Sequence, residues 1–271
     1  MADEYTEEHW KQALTQLRAG RGIGCRAIGD LPAGVSPVNI TEAMNLQDAL
    51  NQRLVADGFG NIVGTKIGCT TRIMQEYLGM EHPCAGAIFE SSLFSESGVY
   101  EFDSFLHVGV ECEIAVTLGE SIPVSSESYT LASVSPAVAS VHAAIEVVDD
   151  RYQDFENRIP DCYTWVADDF FGAGAVLGRP ISDWATLDLP SLRGRMLIDG
   201  EEVGDGFGRD IINGHPLEAL VWLANEESRR GREIPAGWVV MLGSVVQTKW
   251  LQAGQNVEVE IEGLGTAVAQ F

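Results

Sequence analysis

The segment 107–118 constrains this chain more than any other, because it alternates strictly between two kinds of side chain. Val108, Val110, Cys112, Ile114, Val116 and Leu118 fall on one face of a strand. His107, Gly109, Glu111, Glu113, Ala115 and Thr117 fall on the other, since successive side chains of an extended chain point to opposite sides. Glu111 and Glu113 are therefore neighbours on one face, where they repel each other, and no cation stands near them in sequence. A second apolar segment, 143–148, embeds Glu146 among Ala, Ile and Val. Carboxylates in apolar surroundings are costly unless something neutralises them. Two readings follow: a hard divalent cation held through oxygen ligands, or plain exposure of Glu111 and Glu113 on a solvated sheet face. Spacing alone leaves both open.

Around this strand the chain reads as helical first and strand-rich later. Residues 4–18 set Tyr5, Trp10, Leu14 and Leu17 at helical spacing before Gly20. A Gly/Pro-rich connector spans 20–37, and a second helix spans 41–56 with Met44, Leu50 and Leu54 inward. A short β-branched strand at 61–68 precedes a helix capped by Thr70 or Thr71 and closed by Gly79. From about residue 105 the pattern is mostly β. A hairpin at 193–203 turns on Asp199-Gly200, an apolar helix covers 216–230, and a strand covers 237–242. The last hairpin puts Val257, Val259 and Ile261 on one face and Glu258, Glu260 and Glu262 on the other. The class is α+β, with a helical N-terminal region (1–60) and a β-rich domain (61–271) forming one continuous structural unit.

Composition narrows the partners. A net charge of −23 repels phosphate backbones and anionic lipids, so neither nucleic acid nor membrane is an expected partner. No apolar run reaches the length of a membrane span. The opening Met-Ala-Asp-Glu-Tyr has no signal-peptide character, so the expected location is the cytoplasm. The five cysteines include no C-x-x-C pair, which fits neither a zinc knuckle nor a disulfide framework. Lysine occurs only at 11, 66 and 249. Lys66 stands among apolar residues, where desolvation would lower its pKa and suit it to proton transfer, or where it would neutralise a substrate carboxylate. The plainer alternative is a strand-end lysine whose stem reaches solvent.

Several segments, in order from about residue 40 to Phe271, carry a family resemblance. Thr65-Lys66-Ile67-Gly68-Cys69-Thr70 resembles the K-(I/V)-G-L-T motif of 2-oxopent-4-enoate hydratases in the fumarylacetoacetate hydrolase superfamily. Glu111-Cys112-Glu113-Ile114-Ala115 is similar to their E-x-E-I-A metal strand, and Ile145-Glu146-Val147-Val148 to the segment bearing the third ligand. Val166-Ala167-Asp168, then Gly214-His215-Pro216-Leu217 with Val221-Trp222-Leu223-Ala224, and finally Ile261-Glu262-Gly263-Leu264-Gly265 continue the match.

The resemblance implies a mixed β-roll, with Mg2+ or Mn2+ held by Glu111, Glu113 and Glu146 and with Lys66 as the catalytic acid–base or counter-charge. The implied substrate is a small anionic unsaturated 2-oxo or 2-hydroxy-dienoic acid from the catabolism of aromatic compounds, to which water is added. The alternatives are a 2-oxo-enedioate decarboxylase, a C–C bond hydrolase of the same superfamily, or a non-catalytic partner subunit. The implied assembly is a homo-oligomer, or a complex with a homologous pathway enzyme.

The chain departs from the family pattern at two places. The family's P-D-F-G reads Pro83-Cys84-Ala85-Gly86, and its A-D-N-A-S reads Ala167-Asp168-Asp169-Phe170-Phe171. An acid is thus lost at Cys84, and an aromatic replaces a small hydroxyl residue at Phe171. Gln52, Cys84, Asp168 and Phe171 are the expected substrate-binding residues. Cys84 has no Cys-His partner pattern, so inert packing is the alternative to a nucleophile. Residues 149–151 read as a solvated turn, and His215 as a helix-capping residue. The glycine clusters 20–24 and 204–208 lack the strand–G-x-G-x-x-G–helix context of dinucleotide binding.

Overall fold

The computed structural model describes residues 7–271, so Tyr5 lies outside the described residues. Helix α1 (Glu7–Arg18) is followed by α2 (Ile40–Leu54), which starts where Asn39 Oδ1 accepts the Glu42 N–H at 2.9 Å. A single π turn, Val55–Phe59, ends α2 ahead of the expected residue 56, and Gly58 there takes a φ of 94°. Strand β1 (Ile62–Gly68) leads into α3 (Arg72–Leu78), capped by Thr71 and closed by left-handed Gly79.

Next come β2 (Cys84–Phe89), β3 (Leu93–Ser95), β4 (Ser97–Val99) and the long β5 (Val108–Leu118). Helix α4 (Leu131–Val134), β6 (Val138–Asp149), α5 (Cys162–Ala167) and β7 (Gly172–Leu177) follow. The hairpin β8 (Arg193–Ile198) and β9 (Glu201–Phe207) turns at Asp199 and Gly200, both at positive φ as a type I′ turn requires. Helix α6 (Leu217–Arg229), β10 (Val239–Trp250), β11 (Asn256–Ile261) and β12 (Gly265–Gln270) complete the chain.

The strands form two sheets. One has seven strands in the order β2-β1-β10-β5-β6-β7-β3, and the other has five in the order β4-β12-β11-β8-β9. In the larger sheet β1 runs parallel to β10 and β3 to β7, while the remaining pairs are antiparallel, so the sheet is mixed. Strand β10 is twice as long as the sequence pattern suggests, because register shifts between Met241 and Lys249 break its alternation.

Two packing layers bury this sheet. Between the sheets, Val110, Cys112 and Ile114 of β5 meet Val257, Val259 and Ile261 of β11, with Leu220 and Leu223 of α6 alongside. On the opposite face, Ala115, Ala144, Ala175 and Met241 form a small-residue core. Both faces of β5 are therefore buried, which excludes the solvated-face reading of its glutamates.

A further cluster joins Trp10, Leu14 and Leu17 of α1 and Leu46, Leu50 and Leu54 of α2 to Phe89, Trp165 and Phe170 of the β body. Each such side chain contributes about 1.5–3 kcal/mol on burial, so the N-terminal helices are held firmly over the sheet. Asp48 of α2 also pairs with Arg230 at 2.7 Å and Arg232 at 2.8 Å beyond α6. No helix among the described residues is long and apolar enough to cross a membrane.

Candidate metal centre and its pocket

Antiparallel pairing of β5 with β6 sets Glu111 directly opposite Glu146, while Glu113 faces Ala144 two residues on. All three side chains share one sheet face, and ligand oxygens of Glu111, Glu113 and Glu146 lie within 4.8 Å of one another. Glu113 has no exposed surface and Glu146 is 2% exposed. One oxygen of Glu113 accepts the Gly243 N–H at 2.9 Å, and the other has no partner. Gly243 sits where β10 loses register, at a φ of 118°, and a side chain there would also meet Thr70. This bulge is what turns a backbone amide toward the glutamates. The Thr248 hydroxyl donates to Glu111 Oε1 from farther along the same strand.

Lys66 projects from β1 and places its Nζ 2.9 Å from Glu146 Oε1. Burial alone would depress the Lys66 pKa, but the charges of Glu146 and its neighbours outweigh it, and the net shift is upward. The expectation of a lowered lysine pKa is thus corrected, and the reason is an acid brought in by β6 that sequence proximity does not reveal. Burial first, then repulsion by Glu146, pushes Glu111 up to about 7 and Glu113 well above the ordinary carboxylate range. Three acids against one ammonium leave the cluster short of positive charge. An all-oxygen, all-anionic donor set with a buried unpartnered oxygen fits a hard divalent cation.

The remaining expected residues separate. Cys84, on β2 opposite Gly68, is buried, and Lys66 and Glu146 are close enough to influence its charge. Burial pushes its thiol far up, which favours inert packing over a nucleophile. Asp168 is fully buried and does not join the glutamate cluster. Its carboxylate pairs with Arg151 Nε at 2.9 Å and with Arg21, and its carbonyl accepts from both guanidinium groups. Arg151 is 1% exposed and Asp149 is buried as well, so the solvated turn expected at 149–151 is wrong. An acid seventeen residues away in sequence draws Arg151 inward.

Gln52 is exposed on α2 and does not join the site. Phe171 packs instead with Tyr152, Phe155 and Trp165, at ring separations of 4.8, 5.3 and 6.3 Å. His215 accepts the Leu217 N–H at 3.1 Å where α6 begins.

Several residues beside the site were not singled out by the sequence. Phe170, and not Phe171, faces Lys66, with its ring centre 5.0 Å from Nζ. Asp169 is buried and accepts from Asn51 Nδ2 and the Ala87 N–H, each at 3.0 Å. Asp169, Phe170 and Phe171 take φ values of 56°, 46° and 65°, a left-handed run that side chains with a Cβ adopt only under constraint. One signal for Asn51 was present: it lies four residues after Gln47, so both share the inward face of α2.

Residues 93–271 match the family described as fumarylacetoacetate (FAA) hydrolase, C-terminal. The whole chain is 32% identical over 272 residues to the 2-keto-4-pentenoate hydratase of Paraburkholderia phymatum, covering 100% of this chain and 99% of that one. It is 30% identical over 234 residues to the 4-oxalocrotonate decarboxylase of Pseudomonas putida, covering 86% of each. Among solved structures, the 4-oxalocrotonate decarboxylase of Pseudomonas putida G7, complexed with magnesium and adipate, superposes with a TM-score of 0.86. That pair is 29% identical and covers 96% of this chain and 97% of the other. Two-thirds of the chain, including both strands that bring the three glutamates together, match the family, and full-length relatives extend the likeness across Lys66 and the N-terminal helices: this chain belongs to the fumarylacetoacetate hydrolase family.

Proposed function

We propose that this chain is a divalent-metal-dependent lyase of the hydratase type. It adds water to a small unsaturated 2-oxo or 2-hydroxy-dienoic acid in the breakdown of aromatic compounds. The observation that carries this reading is the convergence of Glu111, Glu113 and Glu146 around one point, with the buried ammonium of Lys66 beside them. Glu111, Glu113 and Glu146 would hold Mg2+ or Mn2+. When bound, the cation supplies charge neutralisation and Lewis-acid polarisation of the substrate's carboxylate and 2-oxo oxygens.

The protein's own groups do the rest. Gly243 N–H and the Thr248 hydroxyl hold Glu113 and Glu111 in place, so little reorganisation is needed when charge shifts. Lys66, an ammonium beside Glu146, is suited to balance the substrate's negative charge and to deliver a proton from Nζ. With Cys84 standing where the family has an acid, no carboxylate at that position on β2 competes for that proton. Phe170 covers the ammonium and limits the access of water to it. The free cysteines suit a reducing cytoplasm, and the working form in this reading is a homo-oligomer.

The second reading is decarboxylation of a 2-oxo-enedioate, favoured by the 0.86 superposition on a decarboxylase. Incubating the Mg2+-loaded protein with 2-hydroxypenta-2,4-dienoate and with the corresponding enedioate, then weighing the products, separates the two. A gain of about 18 Da marks water addition and a loss of about 44 Da marks release of carbon dioxide. Metal binding with no turnover of either substrate would favour the non-catalytic subunit.

A further inference from the structure

We propose that Phe170 sets the length and polarity of the substrate, admitting short monocarboxylic 2-oxo acids and turning away those with a second carboxylate at the far end. This rests on the metal-bound 2-oxo acid reading above. The ring is 6% exposed and lies against Lys66. A Cβ on Gly68 of β1 would come 2.5 Å from the ring's Cδ1, so the phenyl fills the space which that glycine leaves open.

Its position is tightly held. The backbone from Asp169 to Phe171 is left-handed throughout, and the Asp169 carboxylate is tied to α2 through Asn51 and to β2 through Ala87. The Asp169 carbonyl lies where a side chain on Gly86 would be, so any residue but glycine there would collide with it. A ring on such a base cannot swing aside easily.

The chemistry of this wall follows. The family pattern has Ala at position 170 and Asp at position 84, whereas this chain has a phenyl and a neutral thiol. Lys66, the cation under the ring, is already paired with Glu146, and Arg21 beyond Asp169 is taken up by Asp168 and Asp169. A second carboxylate pushed against Phe170 and Cys84 would be buried without a partner, while an apolar chain end would lose nothing.

The test uses inert saturated ligands, so it does not depend on which reaction is catalysed. Binding of 2-oxopentanoate and 2-oxohexanedioate to the Mg2+-loaded protein is measured by calorimetry for the wild type, Phe170→Ala and Phe170→Leu. The wild type is expected to prefer 2-oxopentanoate by at least about tenfold, the discrimination a single pocket contact provides. Phe170→Ala should bring the two within about threefold, chiefly by tightening the diacid, and Phe170→Leu should fall between. The leucine variant keeps most of the apolar bulk and guards against failure of the alanine variant to fold. A wild-type preference for the diacid, or a ratio unmoved in both folded variants, overturns the assignment of Phe170 alone. Failure of the wild type to bind either acid overturns the site reading as well.

Discussion

Replacing Glu113 with Gln should make the protein more stable without metal and less stable with it. Glu113 is wholly buried, one of its oxygens accepts the Gly243 N–H, the other has no partner, and Glu111 and Glu146 crowd the same 4.8 Å space. In Glu113→Gln the amide oxygen keeps the Gly243 hydrogen bond, and the amide NH2 turns to the two remaining carboxylates. At a pH high enough to ionise Glu113, where the melts are run, a buried unsatisfied acceptor costs about 1–3 kcal/mol. Relieving it raises the melting temperature of a chain this size by roughly 2–12 °C, at about 2–4 °C per kcal/mol.

Metal acts in the opposite direction. At about a hundred times its Kd, Mg2+ stabilises the wild type by about 2.7 kcal/mol, or roughly 5–11 °C. The variant has lost one of three anionic ligands and should gain little. Thermal melts in chelator and in excess Mg2+ should therefore cross, with the variant higher in chelator and lower in Mg2+. A variant melting below the wild type in chelator would refute the argument from the unpartnered oxygen. Equal Mg2+ shifts in both proteins would remove Glu113 from the ligand set.

Lys66→Met should lower kcat/KM by at least about a hundredfold, the lower end for a general acid–base group, and wild-type kinetics in a folded variant would rule out the role. Glu111 ordinarily titrates near 4.5 but is pushed up to about 7 in the folded protein, so folding takes up protons between those values. The metal-free protein should accordingly lose stability as pH climbs from about 4.5 to about 7 and then level off. Melts of wild type against Glu111→Gln at pH 5 and pH 8 in chelator check the sign, since the difference should be much smaller at the lower pH. Arg151→Met leaves Asp168 buried beside a single guanidinium, and breaking a buried pair costs about 3–5 kcal/mol, or roughly 6–20 °C of melting temperature. A fall of less than about 2 °C would show that Arg21 alone suffices.

Periodic patterns are legible in the sequence. The alternation at 107–118 produces β5, and the Asp199-Gly200 pair produces the hairpin it signals. Val257, Val259 and Ile261 turn inward and α6 ends at Arg229. Each of these is a local property: strand and helix repeats and turn preferences depend on residues only a few positions apart. Strand β10 shows where that stops, because its second half is held by bulges against β5 that interrupt the two-residue repeat.

The chemistry of the site was legible in kind but not in arrangement. The order of residues identified acids that had to be neutralised, and the family motifs pointed to Lys66. Local residue patterns specify which segments form strands and helices and which side chains share a face. Long-range packing is what covers both faces of β5, brings Lys66 to Glu146 and turns Arg151 inward to Asp168. It alone decided that Phe170 covers the lysine while Phe171 joins the aromatic cluster. The reason is physical. A side chain's burial, charge balance and pKa depend on groups that folding brings within a few ångströms, and here those groups lie tens of residues apart in the chain.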